Sequence, residues 1–217
     1  MSTEPARGRI LSVYVSRIKE VKFSGRTVTT GIFKEPVQQK LLLRKLNLDG
    51  DEQADLTVHG GPEKALYTYP SEHYSWWKEQ MPDMKFPHGI FGENLTTEGL
   101  LESETYIGDE FQAGSAIIRV TQPRLPCYKL GIRFGRADII KRFMQSARSG
   151  LYFAVVKEGT LGPGDDIRYL RSDDYQIKVS DVAKLFIERK NGDSAFVKRA
   201  LQSQLAEQMK MFIEGLE

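Results

Sequence analysis

One thiol sets the chemical possibilities of this chain. Cys127 is the sole cysteine among 217 residues and stands in the run Gln122-Pro123-Arg124-Leu125-Pro126-Cys127-Tyr128-Lys129-Leu130. Pro123 and Pro126 fix φ at about −65° and remove two backbone donors, so the segment is expected to be a stiff turn, neither ordinary helix nor central strand. Arg124 and Lys129 lie within three residues of the sulfur. Cations at that range favour thiolate over thiol, and the thiolate is the form that attacks electrophiles or binds soft metals. The alternative is a structural cysteine, since free cysteine is among the most buried residue types. The prolines and the flanking cations weigh toward a reactive one.

Two other segments carry polar chemistry. In His59-Gly60-Gly61-Pro62-Glu63-Lys64, consecutive glycines let backbone N–H groups converge on an anion, with His59 and Lys64 as charge-assisted donors. A plain Gly-Gly turn with a solvated histidine and lysine reads the same residues equally well. In Phe91-Gly92-Glu93-Asn94-Leu95, Asn94 offers donor and acceptor, and Glu93 could orient a histidine or lysine. Simple loop closure is the competing reading. His73 and His88 have no partner pattern and are expected at the surface. No His-x-x-x-His, Cys-x-x-Cys, Gly-x-Gly-x-x-Gly or Gly-x-Ser-x-Gly occurs, so zinc, dinucleotide and serine-hydrolase sites have no support.

The elements that must position these groups are mostly short strands. β-prone runs fall at 10–15, 21–23, 27–32, 39–43, 111–112, 116–121, 152–156 and 167–170. Ser24-Gly25, Gly108-Asp109, Ala113-Gly114 and Gly162-Pro163-Gly164-Asp165 mark turns, and 48–54 is a polar stretch around Asp49-Gly50. Such spacing with glycine-rich corners favours a closed or partly closed barrel, a mainly β fold with added helices. Helices are predicted at 71–80 and at 137–147, where Ile139, Ile140, Phe143 and Met144 form a stripe. The pair Trp76-Trp77 reads as packing rather than as an aromatic platform. After Asp173-Asp174 the pattern turns helical: 180–189, Ser194–Gln202 and 206–214 each bear one apolar face, and Asn191-Gly192-Asp193 supplies a stop and an N-cap. The division predicted is therefore a barrel over 1–172 and a small three-helix unit over 173–217, leaning on the barrel or on a second subunit.

Bulk composition narrows the rest. Charged residues make up 28% and net charge is +2 with basic residues scattered, which does not suggest a nucleic-acid binder. One cysteine excludes an internal disulfide and a Cys₄ iron–sulfur cluster built from this chain alone. No apolar run approaches the roughly 20 residues a membrane span needs, and residues 1–9 are polar, unlike a signal peptide. A reduced cytoplasm is the expected address.

Taken in order, residues 55–65, 91–100 and 122–130 resemble the three signatures of the MOSC domain, named for the C-terminal domain of molybdenum-cofactor sulfurase. The tail resembles the three-helix (3-alpha) extension of the YiiM-like branch. The resemblance implies a β-barrel related to the pyruvate-kinase barrel domain and binding of the molybdenum cofactor, a molybdopterin, through Cys127. It further implies an oxidoreductase that reduces N-hydroxylated bases and amidoximes. No ferredoxin-like domain is present, unlike in longer family members, so electrons would come from a separate reductase.

Joined to the residues, this gives Cys127 as metal ligand and Gly60, Gly61, Lys64, Asn94, Arg124 and Lys129 as cofactor-binding groups. His59 is the first candidate proton donor, because imidazole titrates in the right range, and Glu93 the second. Two readings from other classes stay open. Cys127 could carry sulfur as a persulfide, or the cofactor as thiolate, without turnover; or Cys127 and His59 could act together in hydrolysis without a metal. The tail could complete a pocket, form a homodimer or dock the electron donor through charges such as Lys184, Lys198 and Arg199.

Overall fold

The computed structural model describes residues 7–54, 60–188 and 193–215. In chain order the strands begin with β1 (Gly8–Val15), β2 (Lys19–Phe23), β3 (Arg26–Thr30), β4 (Glu35–Val37) and β5 (Leu41–Leu43). A 3₁₀ turn at Pro62–Lys64 then leads into β6 (Leu66–Pro70), α1 (Glu72–Gln80) and β7 (Leu95–Gly99). The middle holds β8 (Glu110–Ala113), β9 (Ala116–Pro123), α2 (Tyr128–Phe134), α3 (Asp138–Ser146) and β10 (Leu151–Lys157). Next come β11 (Gly159–Leu161), β12 (Asp166–Arg171), α4 (Val179–Glu188), α5 (Ser194–Gln202) and α6 (Glu207–Glu214).

Seven strands close into a barrel in the order β12-β8-β9-β10-β6-β7-β1, with β1 pairing back onto β12. Closure removes the unpaired edges that an open sheet would present. All neighbouring pairs are antiparallel except β6 and β7, and that parallel pair needs the crossover in which α1 lies. The period of two decides which side chains fill the interior. On β10, Leu151, Phe153 and Val155 face inward; on β9, Ala116, Ile118 and Val120 meet them. β6 is buried along its whole length because it separates two cores. Leu66 points into the barrel, whereas Tyr67 and Tyr69 join an aromatic layer of Tyr74, Trp77, Phe91 and Phe143 beneath α1 and α3. Trp77 is fully buried there and donates from Nε1 to the Tyr69 hydroxyl at 2.7 Å, so it packs as expected.

The tail helices extend the barrel core. Val182, Phe186, Val197, Met209 and Ile213 belong to the same apolar cluster as Ile118 and Phe153. Backbone bonds fix them in place: Val179 N–H donates to Thr105 O at 3.0 Å, and Ala206 N–H to Thr121 O at 3.1 Å. Asp193 caps α5, its side chain accepting from Ala195 N–H at 3.3 Å.

Two expectations need correction. The cysteine segment is not helix-free or strand-free: β9 runs to Pro123 and α2 starts at Tyr128. The prolines sit at the strand end and before the helix cap, where missing donors cost nothing. His73 is buried rather than at the surface, pairing through Nε2 with Glu102 Oε2 at 2.8 Å, while His88 is exposed.

Candidate functional site

A bulge at the end of β9 creates the site. Phe153 pairs with Val120, but Tyr152 pairs with Gln122, so Thr121 is an extra residue in the register. One inserted residue reverses facing. Gln122 and Arg124, which simple alternation would send into the barrel core, instead share the face of Tyr152. The chain then turns through Leu125 and Pro126, and Cys127 takes extended backbone (φ −117°, ψ 172°) as the N-cap of α2. α2 anchors the turn by burying Leu130 and Phe134, and ends at Gly135 in the left-handed conformation (φ 67°) that favours glycine. The thiol is half-buried.

Cys127 borders a cavity of about 100 Å³ at one end of the barrel. Its charged lining comes from far-separated parts of the chain: Lys34, Asp51, Glu52, Lys64, Arg124 and Lys129, together with Asn94. Asp51 organises one wall. Its Oδ1 accepts from Lys34 Nζ at 2.5 Å and Ser16 N–H at 2.9 Å, and its Oδ2 accepts from Asn94 Nδ2 at 2.8 Å. Asn94 Oδ1 in turn accepts from Tyr67 N–H at 3.1 Å. The ion pair is buried but surrounded by hydrogen bonds, the condition under which such a pair is tolerated.

Arg124 is only 6% exposed, and its Nη1 has no hydrogen-bond partner among the described residues. Its guanidinium lies 5.1 Å from the centre of the Tyr67 ring and 5.2 Å from that of Phe143. Burial works against its charge, but Tyr67, Tyr152 and Cys127 favour it, and its pKa ends above the ordinary arginine value. Burial raises the Tyr67 and Tyr152 phenols, with Arg124 opposing, so both stay neutral around pH 7. Burial pushes the Lys64 ammonium below its ordinary range, with Glu63 opposing. A desolvated guanidinium with an unused donor, beside a half-buried thiol, Lys64 and Lys129, is an arrangement that can accept an anion.

The structure therefore brings Cys127, Lys64, Asn94, Arg124 and Lys129 together around one cavity. Gly60 and Gly61 are not among its described lining residues. Gly61, at φ 90°, opens the 3₁₀ turn, and the turn's last residue, Lys64, reaches the cavity. His59 and residues 55–58 lie outside the described residues. Glu93, the second candidate proton donor, does not line this cavity. It is fully buried, and its Oε1 accepts from Gly89 N–H at 2.7 Å, from Thr96 Oγ1 at 3.0 Å and from the Tyr74 hydroxyl. Adjacent residues of an extended segment point to opposite sides, so Asn94 faces the cavity and Glu93 the aromatic layer. Sequence reasoning missed Lys34, Asp51 and Tyr152. No local signal marks them, because only the fold brings them to the thiol.

Comparison with known proteins adds an independent line. A family model described as the MOSC domain matches residues 55–168. The uncharacterized protein YflK of Bacillus subtilis is 38% identical over 80% of this chain and 78% of its own length. Protein YiiM of Escherichia coli is 45% identical over 60% of this chain and 59% of its own. A Gibberella moniliformis protein named reductase is 32% identical over 76% of this chain but only 30% of its own length. The crystal structure of YiiM from Geobacillus stearothermophilus superposes with a TM-score of 0.80 at 30% identity, covering 96% of this chain and 98% of that one.

Proposed function

The chain belongs to the MOSC domain family, and from that premise we propose that it binds the molybdenum cofactor at Cys127 and reduces N-hydroxylated compounds with electrons from a separate reductase. One observation carries the reading: buried Arg124, with Nη1 unpartnered among the described residues, stands beside a half-buried thiol at a cavity also lined by Lys34, Lys64 and Lys129. A molybdopterin brings a phosphate and a soft, sulfur-bound metal, so it requires an anion-binding shell and a thiolate. This donor set fits. Cys127 Sγ would hold the metal. Arg124 and Lys129 would meet the anionic part, and Asn94, fixed by Asp51, would offer hydrogen bonds to the pterin. When bound, the cofactor supplies two-electron oxygen-atom chemistry. The relative named reductase lends support to a redox role.

The net conversion takes an N–OH group, two electrons and two protons to N–H and water. The departing oxygen needs a proton, and Lys64 Nζ is placed to hold one. It borders the cavity next to the thiol, and its lowered pKa makes it a readier acid than a solvated lysine. Tyr152 remains a neutral phenol and can orient a substrate without titrating. The test is turnover. Purified, molybdenum-loaded protein with a chemical reductant should convert benzamidoxime to benzamidine. Bound cofactor with no conversion would instead indicate a carrier of sulfur or cofactor.

A further inference from the structure

Cys127 faces two spaces. Beyond the charged cavity, a second chamber of about 260 Å³ opens between the cysteine turn and the tail helices. Cys127, Leu125, Tyr152 and Lys64 border both. The far wall of the second chamber is apolar, with Phe186 from α4 and Met209 and Phe212 from α6. The rings of Phe186 and Phe212 stack on each other with centres 4.0 Å apart. At the base sits Gln122, 2% exposed, whose Oε1 has no hydrogen-bond partner among the described residues, while its Nε2 contacts Pro123 O at 3.4 Å. A buried acceptor left unused costs free energy unless something brings it a donor.

We propose that this chamber is the substrate subsite of the reductase proposed above, and that it admits an uncharged, flat molecule which lays its apolar body against Met209 and Phe212 and donates an N–H or O–H to Gln122 Oε1. The inference rests on that reading for the reaction, and its geometry on this chain's own side chains. The tail helices then serve as the specificity wall. α6 is held over the barrel by Lys64 Nζ donating to Gln208 Oε1 at 2.6 Å, by Glu207 N–H donating to Glu63 Oε1 at 3.1 Å, and by the bond from Ala206 to Thr121. Lys64 is the one basic side chain of the lining among the described residues, so cations are disfavoured. A neutral amidoxime is accepted, and its product, a protonated amidine, is expelled.

The test reads binding without turnover. Benzamidoxime is titrated calorimetrically into molybdenum-loaded protein with no electron donor, alongside the bulkier 2-naphthamidoxime. Met209→Trp, which fills the chamber, should weaken benzamidoxime binding about tenfold or more. Gln122→Leu should weaken it about fivefold to tenfold. Phe212→Ala, at a half-buried position, should shift preference toward the naphthyl probe about tenfold. Molybdenum content should be the same in all three. If Met209→Trp does not fold, the reversal of preference in Phe212→Ala decides alone. Wild-type affinities for both probes in the folded variants would overturn the subsite. Protein that binds the probes with this variant pattern yet retains no molybdenum would leave the subsite standing and sink the reductase reading.

Discussion

The two spaces on either side of Cys127 share one border and differ in everything else. The smaller is walled by lysines, a buried arginine and the Lys34–Asp51–Asn94 network, all brought in by barrel strands and their loops. The larger is walled by aromatic and thioether side chains from the tail helices, with one unused amide oxygen. A charged, desolvated wall suits a resident anion. A mostly apolar wall with one unused acceptor suits a neutral visitor. One half-buried sulfur between them is where the two would meet, so the asymmetry suggests a division of labour between barrel and tail.

Substitutions can break that division. The largest effect is expected at Asp51→Asn, which leaves the Lys34 ammonium buried without its counter-charge. Breaking such a pair costs about 3–5 kcal/mol, read as a lower unfolding midpoint. Molybdenum retention should fall while benzamidoxime affinity of the folded fraction stays, because Asp51 touches only the charged side. Lys64→Met acts on the shared border. Loss of a proton donor should lower kcat by about 10²–10⁴. The acid form is the active one, so wild-type activity should fall as pH rises through the Lys64 pKa, which lies below the ordinary lysine value of 10.5. The variant should lack that alkaline limb. The smallest effect is expected at Glu93→Gln, which belongs to neither space. It should cost about 1–3 kcal/mol of stability, through the loop bonds to Gly89 and Thr96. An altered pH–rate profile in that variant would return Glu93 to the chemistry.

What the sequence made legible was what is local. The cysteine turn, the Gly-Gly segment and the Asn94 segment are contiguous, and the amphipathic tail helices declare themselves by period. β6 escaped notice because Leu-Tyr-Thr-Tyr-Pro is buried on both faces, which erases the alternation that marks a strand. α2 was masked by the prolines before it and by Gly131, which fits where the helix backs onto Arg136 and Ala137. Lys34 and Asp51 could not be assigned, since a lysine near a proline and an aspartate after Asp49-Gly50 read as loop polarity. The bulge at Thr121 decides which way Gln122 and Arg124 face, and no periodicity reports an inserted residue.

The central claim is that Cys127 and its cationic shell hold a molybdenum-bearing pterin. Protein produced with ample molybdenum should be assayed for the metal, with the pterin released and identified by fluorescence, in wild type, Cys127→Ser and Arg124→Met. Stoichiometric metal and pterin in wild type, none in Cys127→Ser and a sharp reduction in Arg124→Met are predicted. Equal metal and pterin in wild type and Cys127→Ser would contradict the account.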